Sequence, residues 1–209
     1  MIKGGERVVL GLARCFLLSI LVLGRVGETK KLPPADQAVT VAVYDDVQLS
    51  SDVLSNAEQE ATRVFDKAGV RTLWILCKSN SEPDPDSRCQ NHAHPTHLAL
   101  RIVPRAWKTS DSIFGVAFLS EDGTGAYGDV FYDSVEKLHR DWNVSLPRVL
   151  GHVIAHELGH LLLGSNAHSR QGIMRPDWHG DELRRASMGD LLFTAEQARS
   201  MREVLSRDP

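Results

Sequence analysis

An α+β domain organised on one mixed sheet of about five strands is what the sequence predicts. Three observations carry that expectation. A strand, helix, strand pattern opens the domain, three more short apolar runs separated by turn residues follow it, and helical periodicity dominates from residue 133 onward.

The first strand is Val39 to Tyr44, which is β-branched and alternating. Apolar residues then recur at helical spacing through Leu54, Ala57, Ala61, Val64, Phe65 and Ala68, and Gly69 supplies the stop. Val70 to Cys77 is the second strand, and a strand returning after one helix lies parallel to the strand before it. Residues 78 to 96 are rich in Pro, Ser, Asn and Asp and read as a long surface loop. Leu98 to Val103, Ile113 to Leu119 and Asp129 to Tyr132 complete the strands, with Asp122, Gly123 and Gly125 providing turn chemistry between the last two. Asp133 and Glu136 have the spacing of a capping pair for a short helix ending near Trp142. A longer helix follows, with Ser145 as cap, Pro147 in its first turn and a buried side formed by Val149, Leu150, Val153, Ile154, Leu161 and Leu162 up to Gly164. A final helix is capped by Thr194 with Gln197 three residues later and runs to about Leu205.

At 209 residues, with a net charge of −3 and 42% hydrophobic residues, the chain has neither the basic excess of a nucleic-acid binder nor an acidic tail. The expected state is a monomer. Lys3 and Arg7 precede an apolar run from Val8 to Gly24, broken only by Arg14. That pattern reads as an export signal or an uncleaved membrane anchor over residues 1–28, followed by a Pro33–Pro34 linker over 29–37 and the folded domain over 38–209. Arg14 sits where a small residue should precede a lipidated Cys15. Either reading delivers the domain outside the cytosol, as a secreted, periplasmic or membrane-anchored protein. With Cys15 set aside, Cys77 and Cys89 are the remaining cysteines, and in an oxidising compartment an even count points to a disulfide.

The chemistry concentrates in HELGH. Residues four apart on a helix share a face, so His156 and His160 can present two ring nitrogens to one zinc ion. Glu157 flanks them, placed to take a proton from water and pass it to a leaving amine. With 9 histidines and 11 glutamates in the chain, this pattern arises by chance in about 2% of such sequences, so its surroundings must strengthen the assignment. They do: the motif lies on an apolar-backed helix and is followed by Gly164, His168 and Gly172-Ile173-Met174.

The stretch AHELGHLLLGSNAHSRQGIMRP, residues 155 to 176, resembles the metzincin clan of zinc endopeptidases, and its matrixin-type members most. The resemblance implies His156, His160 and His168 as zinc ligands, Glu157 as general base, Gly164 as the helix-ending turn and Met174 as the methionine of a turn beneath the metal. It also implies a twisted sheet with a backing helix and an active-site helix, and a small C-terminal part holding that turn and a final helix. The substrate would be a peptide or protein, extended along the strand before the metal helix. The spacing departs from the clan, since Gly164 and His168 follow His160 by four and eight residues where three and six are usual. Asn166, at position six, is a poor zinc ligand, so the loop is expected to bulge and return His168 to the ion. No tyrosine follows the methionine.

Residues 121 to 133 resemble the matrixin loop and edge strand that bind structural ions, without the histidine a second zinc would need. Asp122 or Asp129 could hold calcium there, although a plain turn and strand account for the same residues. His92, His94 and His97 cluster before a strand but read as exposed, and His152, one turn before His156, reads as a partly exposed helix residue or a cleft residue. Two rivals remain: a gluzincin-like enzyme with Glu182 as third ligand, and a metal-stabilised binding module without catalysis. Glu157 argues against the second, because a structural zinc site is closed by four protein ligands and needs no base.

Overall fold

A computed structural model describes residues 38–78, 86–91, 93, 95–105 and 113–207. The export, anchor and linker readings, and those of His92 and His94, lie outside the described residues. In chain order the elements are β1 (Val39–Asp45), α1 (Ser51–Ala68), β2 (Thr72–Cys77), β3 (His97–Val103), β4 (Gly115–Phe118), β5 (Tyr127–Phe131), α2 (Tyr132–Trp142), α3 (Leu146–Leu163), α4 (Gly180–Met188) and α5 (Ala195–Arg207). The five strands form one sheet in the order β2-β1-β3-β5-β4. β1 pairs parallel with β2 and β3, and β3 pairs parallel with β5. β4 runs antiparallel along β5 and forms one edge of the sheet. The sheet is therefore mixed, as the α+β expectation requires.

Alternation along the central strands decides what covers each face. Val41, Val43, Leu98, Leu100 and Ile102 join Val64, Phe65, Leu150, Ile154 and Leu158 in one core, which places α1 and α3 against the same face. At Gly151 the two helices meet so closely that a Cβ would lie 2.5 Å from the Ala57 carbonyl oxygen. A smaller cluster of Ala42, Ile75, Cys77 and Cys89 packs together with Tyr44. Cys77 and Cys89 are disulfide-bonded across 12 residues, with Cα atoms 5.8 Å apart, and the bond ties the polar loop to the end of β2.

The helix ends show where local signals held and where they did not. Gly69 and Gly164 are left-handed C-caps, as read. Thr194 and Gln197 exchange both capping bonds, at 2.9 and 3.2 Å. Ser145 is the N-cap of α3, but its hydroxyl makes no capping bond. The proposed Asp133–Glu136 cap is absent. β5 runs directly into α2, so the N-cap position is Phe131 and no residue is left over to cap it. Asp133 and Glu136 pair instead with Arg105 and Arg140. α4 was not anticipated. Its apolar face is only Leu183 and Ala186, and its N-terminus is closed by His179 and Glu182, an unusual capping pair.

Candidate metal centre

Helix α3 is buried almost throughout, with His156 8%, Glu157 4% and His160 4% exposed. A polar group so placed must find a partner. His156 Nδ1 lies 2.7 Å from the Ile173 carbonyl oxygen and His160 Nδ1 lies 2.8 Å from that of Ser165. A carbonyl only accepts, so each Nδ1 carries the proton and each Nε2 is left as a bare lone pair. These two Nε2 atoms are 3.1 Å apart. Two lone pairs at that distance repel unless a cation lies between them. On a tetrahedral zinc with Zn–N of about 2.0–2.1 Å the ligand nitrogens sit roughly 3.3 Å from one another, close to what the helix sets up here.

His168 completes the group. Its ring centroid is 5.4 Å from that of His156 and 5.0 Å from that of His160, and the three residues offer ligand atoms within 4.8 Å of one another. Gly164, at φ 63°, turns the chain back. Between Gly164 and His168 the chain makes a small turn in which Ala167 N–H donates to the Ser165 hydroxyl at 3.0 Å. Ser165 thus forms the bulge with its side chain and orients His160 with its carbonyl. Gly164 is clamped from outside: its carbonyl oxygen would be 2.6 Å from a Cβ on Gly123, which has φ 80°. Asn166 is exposed and lines the cleft.

Met174 is fully buried beneath α3, where a Cβ on Gly159 would come within 2.8 Å of its sulfur. Gly172, at φ 74°, makes the preceding turn, and Ser169 N–H donates to the Met174 carbonyl at 2.8 Å. Glu182 is elsewhere engaged. Its carboxylate accepts from Arg175 at 2.7 Å and from the His179 backbone N–H at 3.2 Å, and it is not among the residues whose donor atoms gather near the histidines.

Glu157 has no hydrogen-bond partner among the described residues, and burial pushes its carboxyl up to about 8. It fits beneath the edge of the sheet because Gly115 of β4 leaves room: a Cβ there would lie 2.6 Å from its side chain. Burial, then the neighbouring His160, pushes His156 down to about 3, and burial lowers His160 as well. Both imidazoles are therefore neutral at neutral pH, the state in which an imidazole can bind a metal. The open side is a cleft of about 340 Å³ between β4 and the segment after Met174, with the three histidines and Glu157 in its wall.

The remaining sequence candidates fall outside this centre. His152 is fully buried, contrary to the reading of a partly exposed residue, because α3 is enclosed on every side there. Its Nδ1 bonds the Arg148 carbonyl at 2.8 Å and sits 3.5 Å from Glu60. His97 Nδ1 contacts the Thr96 hydroxyl at 3.2 Å. Asp122 Oδ1 accepts from the Ser120 hydroxyl and from the Thr124 hydroxyl and N–H, which holds its carboxyl down at about 2. Asp129 Oδ1 accepts from the Tyr127 hydroxyl at 2.6 Å. These bonds are those of a turn and a strand.

Three participants were not read from the sequence. Gly115 could have been flagged, since glycine inside a strand marks a close approach. The Ile173 carbonyl could not, because a backbone acceptor leaves no residue-type signal. Nor could Trp178, which is 4% exposed, donates its indole N–H to that same carbonyl at 3.3 Å and stands edge-on to His156 at 5.8 Å.

No protein-family model matches the chain, and no curated protein matches it by sequence. Among solved structures it is similar to archaemetzincin from Methanopyrus kandleri, with a TM-score of 0.50 and 15% identity over 84% of this chain and 100% of that one. At that identity the likeness is one of fold.

Proposed function

We propose that this chain is a zinc-dependent endopeptidase in which His156, His160 and His168 hold one zinc ion and Glu157 is the general base. The observation that carries the reading is the pair of Nε2 lone pairs held 3.1 Å apart by two backbone carbonyls, with a third imidazole beside them. Zinc in such a site polarises a scissile carbonyl and lowers the pKa of a bound water to about 7. The protein's own groups do the rest. Glu157 takes the proton of the attacking water and returns it to the leaving amine. β4 is an edge strand, so a peptide can pair with its free side and lie extended across the cleft. Met174 and the Ile173 carbonyl fix the floor and the orientation of His156.

Three donor residues and a solvent-open cleft favour catalysis over a closed structural site, which takes four protein ligands. Engagement of Glu182 by Arg175 and the α4 cap disfavours the gluzincin-like rival. We place the enzyme outside the cytosol, a reading that the Cys77–Cys89 disulfide supports.

The test joins zinc analysis with digestion of a broad peptide library. The zinc-loaded chain is expected to cleave, to stop on chelation and to bind one ion. His168→Ala loses tight zinc and turnover, whereas Glu182→Ala keeps both. The reverse pattern hands the assignment to the gluzincin-like rival.

A further inference from the structure

The two walls of the cleft differ in character. The upper wall, from β4 and the residues before it, is apolar: Ile113 is 41% exposed, and Phe114, Val116 and Ala117 continue the surface. The lower wall carries Asn166, Pro176 and Asp177. Among the described residues no lysine or arginine lines the cleft, and the carboxylates there are Glu157 and Asp177. Glu157 is buried and assigned to proton transfer. Asp177 is exposed and has no ion-pair partner among the described residues. Of the cations nearest in sequence, Arg175 is held by Glu182 at 2.7 Å and Arg184 by Asp181 at 3.3 Å, and Arg170 does not line the cleft. Among the described residues, Asp177 is thus the carboxylate of the cleft outside the metal centre, and it shares the cleft with an apolar wall.

That pairing matches one kind of side chain. Lysine and arginine have an aliphatic stem that lies along apolar surface and a charged head that reaches a carboxylate. A peptide extended along β4 sends alternate side chains to opposite sides of its strand, so some of them enter the cleft. We infer that Asp177 with the Ile113–Phe114 surface forms a subsite for a cationic side chain, making peptides with lysine or arginine beside the scissile bond the substrate class. The inference rests on the peptidase reading above. An acidic side chain at that place meets the like charge of Asp177 and is disfavoured.

The test uses the full zinc-loaded chain and C-amidated peptides, each made both N-acetylated and with a free amino terminus, that carry Lys, Arg, Gln or Glu at each position flanking the cleaved bond. Wild type is expected to prefer Lys or Arg over Gln by about fivefold in kcat/KM, the upper end for an exposed ion pair, and to disfavour Glu. Asp177→Asn brings the Lys-to-Gln ratio close to one, and Asp177→Lys reverses it in favour of Glu. Ratios measured within one preparation are unaffected by any loss of folded protein. Equal cleavage of the Lys, Gln and Glu peptides at every position, or a Lys preference that survives Asp177→Lys, overturns the subsite while leaving the peptidase standing. Cleavage confined to peptides with a free amino terminus also overturns it, because the cation recognised is then the α-amine. Failure to cleave any peptide overturns the peptidase reading and the subsite together.

Discussion

Replacing Glu157 with glutamine should make the metal-free protein more stable at alkaline pH while destroying its catalysis. Without metal, burial holds the Glu157 carboxyl at about 8, against 4.5 for the free group. The folded state therefore binds this proton more tightly than the unfolded state does. Its contribution to stability is complete below about pH 4.5 and is lost as pH rises through 8. Each pH unit between the two values is worth about 1.36 kcal/mol, so the wild-type protein loses up to about 5 kcal/mol that the glutamine variant, which never ionises, retains. On the acid side the two proteins should fall together. His156 is pushed down to about 3 in both, and that contribution is complete above about pH 6.5 and lost as pH falls. The assay is urea unfolding in chelator from pH 5 to 9. The stability difference should be small at pH 5 and reach several kcal/mol at pH 9. With zinc bound, the adjacent cation favours the carboxylate, so the alkaline gap should shrink and turnover should drop about 10²- to 10⁴-fold. Parallel pH profiles for the two metal-free proteins would refute the claim that Glu157 is a buried, unpartnered acid.

Gly115→Ala places a Cβ 2.6 Å from both the Asp129 carbonyl oxygen and the Glu157 side chain. It should cost about 1–3 kcal/mol and lower kcat by about tenfold or more through displacement of Glu157, with zinc content unchanged. A full kcat by steady-state assay counts against the role given to that glycine. The Cys77–Cys89 bond closes a 12-residue separation, for which chain entropy gives about 3 kcal/mol. Mass spectrometry of non-reduced peptides should find the bond in exported protein, and the double serine variant should unfold at correspondingly lower denaturant. Two alkylatable thiols in native material would undo the compartment reading as well.

Much of the fold could be read because its signals are local and periodic. Val41 and Val43 alternate into the core, Leu54 through Ala68 repeat at helical spacing, and Gly69 and Gly164 end their helices as expected. α4 escaped because three apolar residues in nine, of which only Leu183 and Ala186 are buried, make no visible stripe and because its cap uses His179. The misread cap of α2 has a different cause. Whether Asp133 can serve as a cap depends on how close β5 ends, and that is a property of the sheet. The spacing of His156 and His160 is fixed within one helix turn and needed no tertiary information. Bringing His168 to them depends on Ser165 turning the loop, and holding His156 depends on a carbonyl 17 residues away. Both are relationships between segments, for which residue type is a poor guide.

The contact between Gly123 and Gly164 acts as a fixed origin from which the chain measures its way to His168. Neither glycine can carry a side chain without moving the two backbones apart. Of the two positions by which the path from His160 to His168 exceeds the usual spacing, one falls before Gly164, in the last turn of α3, and one after it, in the turn folded back on the Ser165 hydroxyl. The histidine therefore arrives by a path lengthened on both sides of that contact.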